Sequence, residues 1–303
     1  MDTKGNDLVL FLGIIKNNFL FILFFTTLFA GASIFYSLSL ANEYRSFSKV
    51  SAVGKSNASS LGALASQFGG LASMAGVSLG GSDVNVIVET LESRDFIKSF
   101  IEKEDIAIPL FAAEGWDRET NKLILDNDIY DENSKVWVRK VEPYQSIKPT
   151  LEELFLKFQD NLAYSKNKKT DLLTISITFY SPEISKQWLE SLLLHLSEYL
   201  REKDLVDAQQ SIEFIELQFN EVDNADLKLT LSQLLQEQYQ QLTLAKVKKI
   251  FGFEIRDSAF LPEEKVGPKR ALIVIGFTFL GGVLGLFIVF VRIYIKMLKN
   301  DKK

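Results

Sequence analysis

Residues 19–40 read FLFILFFTTLFAGASIFYSLSL and residues 271–291 read ALIVIGFTFLGGVLGLFIVFV, two uncharged apolar runs at opposite ends of one chain. At 22 and 21 residues, each reaches roughly 32 Å as a helix, enough to cross a hydrocarbon layer of about 30 Å. Ser39-Leu40-Ala41 loosely resembles a signal-peptide cleavage site. The first run, however, is well beyond the roughly 7–15 apolar residues of a cleaved signal, so a retained anchor is expected.

Arg292, Lys296, Lys299, Lys302 and Lys303 follow the second run with Asp301 as the one acid, whereas only Lys269 and Arg270 precede it. That bias keeps the C-terminal tail in the cytoplasm, and two spans then return both termini to the same side. The segment between them is expected outside the cytoplasm. Of the 34 cations and 39 acids in the chain, nine and three lie outside residues 41–268, leaving 25 against 36. An acidic domain of this kind argues against nucleic acid as a partner. The absence of cysteine removes disulfides, thiolate metal sites and a cysteine nucleophile together.

Working inward, Glu43 to Val53 reads as a strand. Ser56 to Ser82 follows, with 18 of its 27 residues Gly, Ala or Ser and none charged. Composition alone would make it a flexible linker. Leu61, Leu64, Phe68 and Leu71 nevertheless recur at helical spacing and favour a small-residue helix packed closely on a neighbour. The alternation Leu173, Ile175, Ile177, Phe179 predicts a half-buried strand, and Val136-Trp137-Val138 a shorter one. Ser181-Pro182-Glu183 then offers a cap, a proline at the first helical position and an acid at the positive dipole end.

No proline interrupts the chain from there to Pro262. The stripes Trp188, Leu192, Leu196, Tyr199 and Ile212, Ile215, Phe219, Val222 predict about 40 residues of helix, roughly 60 Å long. Asp223-Asn224-Ala225-Asp226 reads as a tip, after which Leu227, Leu231, Leu234, Leu235, Tyr239 and Leu242 restart the helical pattern. Ile250 to Ile255 reads as a returning strand. Five glutamines in residues 233–241 form either a solvated helix face or a set of donors and acceptors for neighbouring subunits or glycan hydroxyls.

The chemistry-bearing signals are weak. His195, the one histidine, sits in the leucine-rich LLLHLSEYL and reads as structural. Asp126-Asn127-Asp128 after an apolar triplet has the form of a sugar-nucleotide metal motif, but no nucleotide-binding strand–helix–strand pattern precedes it. Adding Asp131 does not complete a calcium loop, because Tyr130 and Asp131 occupy places needing a ligand and a glycine. A solvated acidic turn is expected. No phosphate loop, GxGxxG or GxSxG is present. No catalytic residue, cofactor or metal is expected. Gly281 and Gly285 form GxxxG in the second apolar run, with Gly276 and Gly282 nearby, and Thr27 with Gly31 makes a weaker pair in the first; such spacing lets helix backbones approach within one chain or between chains.

The plan, with Pro262-Glu263-Glu264-Lys265-Val266-Gly267-Pro268-Lys269-Arg270 leading into the glycine-containing second run, resembles the Wzz-type polysaccharide co-polymerases, the bacterial chain length determinants. The family's proline-rich segment carries prolines every three residues; this chain has Pro262 and Pro268 with Lys265 between them. Gln67-Phe68-Gly69-Gly70-Leu71-Ala72, Trp116-Asp117 and the Ser181-Pro182 helix start are also similar to family members.

The resemblance implies an α+β protein: two terminal transmembrane helices flank a periplasmic α/β base with a long extended helical arm of coiled-coil character. The expected organisation is 1–18 cytoplasmic, 19–40 transmembrane, 41–182 base, 183–249 arm, 250–270 return strand and proline segment, 271–291 transmembrane and 292–303 cytoplasmic. It implies a non-enzymatic regulator of surface polysaccharide chain length, O antigen foremost. The protein would be an inner-membrane homo-oligomer acting with a Wzy-type polymerase and the growing lipid-linked glycan. Pro262, Pro268, Gly281 and Gly285 are the expected residues of membrane-helix packing and of a periplasmic hinge. The alternative is a scaffold for capsular or exopolysaccharide export; its kinase-bearing branch is not expected from twelve residues after the second run.

Overall fold

The computed structural model describes residues 13, 15–52 and 84–300, and the segment Ser56 to Ser82 lies outside them. In chain order the elements begin with α1 (Phe19–Ser39), β1 (Glu43–Ala52), α2 (Val84–Glu92), α3 (Arg94–Glu104) and α4 (Ala107–Ala112). Two small hairpins follow, β2 (Ala113–Asp117) with β3 (Lys122–Leu125) and β4 (Tyr130–Asp131) with β5 (Val136–Trp137). Next come α5 (Leu151–Asn161), β6 (Leu162–Lys166), β7 (Leu173–Phe179), α6 (Pro182–Glu221) and α7 (Ala225–Val247). The chain closes with β8 (Phe253–Asp257), β9 (Lys265–Gly267) and α8 (Arg270–Asn300). It is an α+β chain with an apolar helix at each end and a 40-residue helix between them.

Two compact units are formed: residues 1–43 with 265–303, and residues 44–264. In the second unit an antiparallel sheet runs in the order β6-β7-β1-β8. Leu173, Ile175, Ile177 and Phe179 of β7 are buried together with Phe96 and Phe100 of α3, Phe158 of α5 and Leu189, Leu192 and Leu196 of α6. The period-two pattern and the 3.6-residue stripes thus meet in one core.

Local chemistry fixes where the helices start. The Ser93 hydroxyl accepts from Phe96 N at the head of α3. Thr150 and Glu153 complete a reciprocal capping box on α5, and Ser181 caps α6 with Pro182 directly behind it. Asn224 caps α7 by accepting from Asp226 N and Leu227 N.

Two boundaries and one burial pattern differ from the sequence reading. The returning strand begins at Phe253, because Gly252 adopts φ 88° and breaks the extended run between Phe251 and Phe253. α8 continues past the apolar run to Asn300, since lysine and arginine are good helix formers and hydropathy does not mark a helix end. On β1, Ser46 and Ser48 occupy buried positions where the alternation would place apolar groups. Their hydroxyls donate to the carbonyls of Phe260 (2.7 Å) and Asp257 (2.6 Å), where the β1–β8 register is irregular.

Candidate functional site

The two apolar helices pack on each other through glycine. A Cβ built at Gly281 would lie 2.6 Å from Phe29 Cβ and 3.2 Å from the Phe25 carbonyl, so no side chain fits without backbone movement. At Gly285 the nearest atoms, Ile22 Cα and Phe25 Cβ, are 3.4 Å from such a Cβ. Gly282 meets only Thr26 Oγ1 at 3.7 Å, and Gly276 and Gly31 meet nothing within 4 Å. The glycine spacing therefore lies against α1 of the same chain.

Polar groups on these helices are satisfied locally, as hydrocarbon would require. Thr26 Oγ1 donates to Ile22 O, Ser33 to Ala30 O, Ser37 to Ile34 O and Thr278 to Val274 O. Outward positions remain apolar, with Leu20 and Phe35 each 79% exposed. Both helices are long and apolar enough to cross a membrane.

The segment entering α8 is held by polar contacts. Arg270 Nη2 donates to Leu40 O and to Asn42 Oδ1, each at 3.1 Å, and Lys265 Nζ donates to the same Asn42 oxygen at 3.1 Å. Arg270 thereby satisfies a carbonyl at the C-terminal end of α1. Lys265, the departure from the three-residue proline pattern, supplies an ammonium that proline could not. Gly267 sits against Glu43, whose carboxylate a Cβ would strike. Pro262 is buried and Pro268 half-buried.

α6 and α7 form an antiparallel pair. Their facing stripes are Leu205, Ala208, Ile212, Ile215, Phe219 and Leu231, Leu235, Gln238, Leu242, Ala245, both at the alternating three-and-four spacing of a coiled coil. Lys228 Nζ lies 5.6 Å from the Phe219 ring centroid, and Tyr239 Oη donates to Glu216 at 3.2 Å. At the root, Arg201 Nη2 donates to the carbonyls of Lys248 and Lys249, both at 2.9 Å, and Phe251 N donates to Ser197 Oγ at 2.7 Å. Gln238 is only 2% exposed, whereas Gln233, Gln236 and Gln240 are exposed. Val206, Leu217, Leu229, Leu244 and Val247 also face outward.

The acidic residues are engaged in turns. Asp126 Oδ1 accepts from Asp128 N (2.8 Å), and Asp131 accepts from Asn133 N (2.9 Å) and Ser134 Oγ (2.6 Å). The Ser134 hydroxyl and the Asn133 amide hold the Asp131 carboxyl below its ordinary value. Among the described residues no three His, Cys, Asp or Glu side chains gather as metal ligands. His195 lies between α3 and α6, stacked on Phe96 with ring centroids 5.2 Å apart.

Two polar features had no readable sequence signal. Arg139 donates two bonds to Glu153 (2.6 and 2.9 Å) and one each to the carbonyls of Ser146 and Ile147, and it lies 4.9 Å from the Phe111 ring centroid. That guanidinium and the Thr150 amide lower the Glu153 carboxyl to about 2. The Arg201 clamp is the other; it spans about 48 residues of sequence and no local spacing announces it.

Two family models match the chain. The model described as chain length determinant protein, Wzz, covers residues 6–104, and the G-rich domain on putative tyrosine kinase, GNVR, covers residues 223–294. Residues 6–104 are thus similar to the chain length determinant family and residues 223–294 to the GNVR domain, and the two matches take in both apolar helices. Among solved structures, a full-length bacterial polysaccharide co-polymerase is similar at 14% identity and a TM-score of 0.37, with 94% of this chain and 97% of that chain covered. A fragment of WzzB, polysaccharide co-polymerase from Salmonella Typhimurium, is similar at 12% identity and a TM-score of 0.32, covering 75% of this chain and 100% of that one. No curated protein matches.

Proposed function

We propose that this protein sets the chain length of a bacterial surface polysaccharide, lipopolysaccharide O antigen, as a non-enzymatic homo-oligomeric scaffold acting with a Wzy-type polymerase in the inner membrane. The observation that carries the reading is the 40-residue helix α6. Its first half is rooted in the core and its second half packs against α7. A helix pair so built keeps its shape over tens of ångströms. It also leaves Val206, Leu217, Leu229, Leu244 and Val247 to partners.

In this reading both termini are cytoplasmic and residues 44–264 periplasmic. Gly281 and Gly285 set the pairing of the two spans, while Pro262 and Pro268 limit flexing in the linking segment through their fixed φ. Length is then governed by assembly geometry and by how long polymerase and lipid-linked glycan stay in contact with the arms. The match to a domain named for putative tyrosine kinases favours one second reading, a scaffold for capsular or exopolysaccharide export.

A gel profile of surface polysaccharide with and without the gene separates the two. Collapse of a modal band into short or random lengths, with polymer persisting, supports length control. Disappearance of polymer supports the export scaffold. An unchanged profile overturns both.

A further inference from the structure

His195 is placed differently from an ordinary surface histidine. Its Nε2 lies 2.8 Å from Ser99 Oγ, and that hydroxyl lies 2.8 Å from Phe96 O. Serine has one hydroxyl proton. Both contacts are satisfied only if Ser99 donates to the carbonyl and the imidazole Nε2–H donates to Ser99, which assigns the proton to Nε2 and leaves Nδ1 as a bare acceptor. Nδ1 is shielded from solvent and has no hydrogen-bond partner.

The half-buried ring packs against Phe96 and against Phe100, whose centroid is 5.8 Å away. A proton added at Nδ1 would create a cation whose new N–H finds no acceptor among aromatic neighbours. With Nδ1 shielded from water that charge goes uncompensated, and the contact opens to water instead. The charged groups around it are Lys103 and Glu104 on α3, and Glu198 and Glu202 on α6. Lys103 and Glu198 are already paired with each other. That pair spends the carboxylate closest in kind to a partner for an imidazolium and sets an ammonium near the ring.

We propose that His195 is an acid-sensitive latch at the root of the long helix: neutral, it seals α3 against α6, and protonated, it releases that contact. Burial and the Lys103 charge outweigh the three carboxylates and hold the imidazole below its ordinary value. The sign follows: above the ordinary imidazole value of about 6.5 neither folded nor unfolded chain carries the charge, and stability is full. As pH falls below that value the unfolded chain gains a proton that the folded chain refuses, and stability is lost down to the folded value. The physiological use of such a latch rests on the periplasmic placement proposed above, in a compartment open to external acid; the latch itself does not.

His195 is the one histidine in the chain, so its imidazole gives a single resonance in full-length, histidine-labelled protein in detergent. The expected result is a titration midpoint below the ordinary histidine value, with loss of hydrogen-exchange protection in residues 94–104 and 189–201 between pH 7.5 and pH 5. His195→Gln and His195→Phe, both neutral, are expected to keep that protection at pH 5. A midpoint at or above the ordinary value, or equal protection at both pH values in the wild type, overturns the proposal. If neither variant folds, the wild-type titration and exchange still decide. Polysaccharide profiles play no part in this test, so its failure leaves the length-control reading standing.

Discussion

Gly281 is the position where a single methylene decides a contact. Its missing Cβ would stand 2.6 Å from Phe29 Cβ, whereas the equivalent distance at Gly285 is 3.4 Å, ordinary van der Waals contact. Gly281→Val is therefore expected to separate α1 from α8 at a cost of about 1–3 kcal/mol, and Gly285→Ala to be close to neutral. A disulfide between Thr26→Cys and Gly282→Cys reads this directly, since the chain has no cysteine of its own. It should form in the parent and with Gly285→Ala, and fail with Gly281→Val. Glu153 makes a second residue-scale case. With its carboxyl at about 2, its contribution to stability is present above the ordinary carboxyl value of about 4.3 and is lost as pH falls through the folded value. Arg139→Gln should lower the unfolding free energy at neutral pH by about 1–3 kcal/mol and flatten that acid limb in denaturant titrations.

At the scale of elements, the α6–α7 pair carries two polar residues in places of opposite consequence. Gln238 lies in the apolar stripe of α7, where an amide lowers stability while restricting which register the helices adopt. Gln238→Leu should raise the melting temperature of the helix pair, read by circular dichroism. Arg201 closes the other end by donating to two carbonyls beyond α7. Arg201→Ala should speed amide exchange in residues 246–252 and cost about 1–2 kcal/mol. The helix starts were open to reading from Ser181-Pro182 and from the 3.6-residue stripes, because capping and amphipathic periodicity are local. The burial of Gln238 was not, since a glutamine among five in residues 233–241 gives no sign of which one faces the partner helix.

For the whole molecule, arm length and the proline segment are the variables that length control would use. Deleting Asp223 to Gln241 should shift the modal polysaccharide length, and Pro262→Ala with Pro268→Ala should broaden the distribution while expression persists; a gel profile measures both. The sequence by itself determined the α+β plan, the two apolar helices, the long helix and the family resemblance, because apolar run length, periodicity and capping are properties of neighbouring residues. Tertiary structure alone decided that the glycine face meets Phe25 and Phe29 of the same chain. It decided too that Ser46 and Ser48 serve carbonyls of the returning segment, and that His195 keeps one nitrogen without a partner. Each of these depends on groups tens to hundreds of residues apart, and the need of a buried polar atom for a partner names no partner until the chain has closed around it.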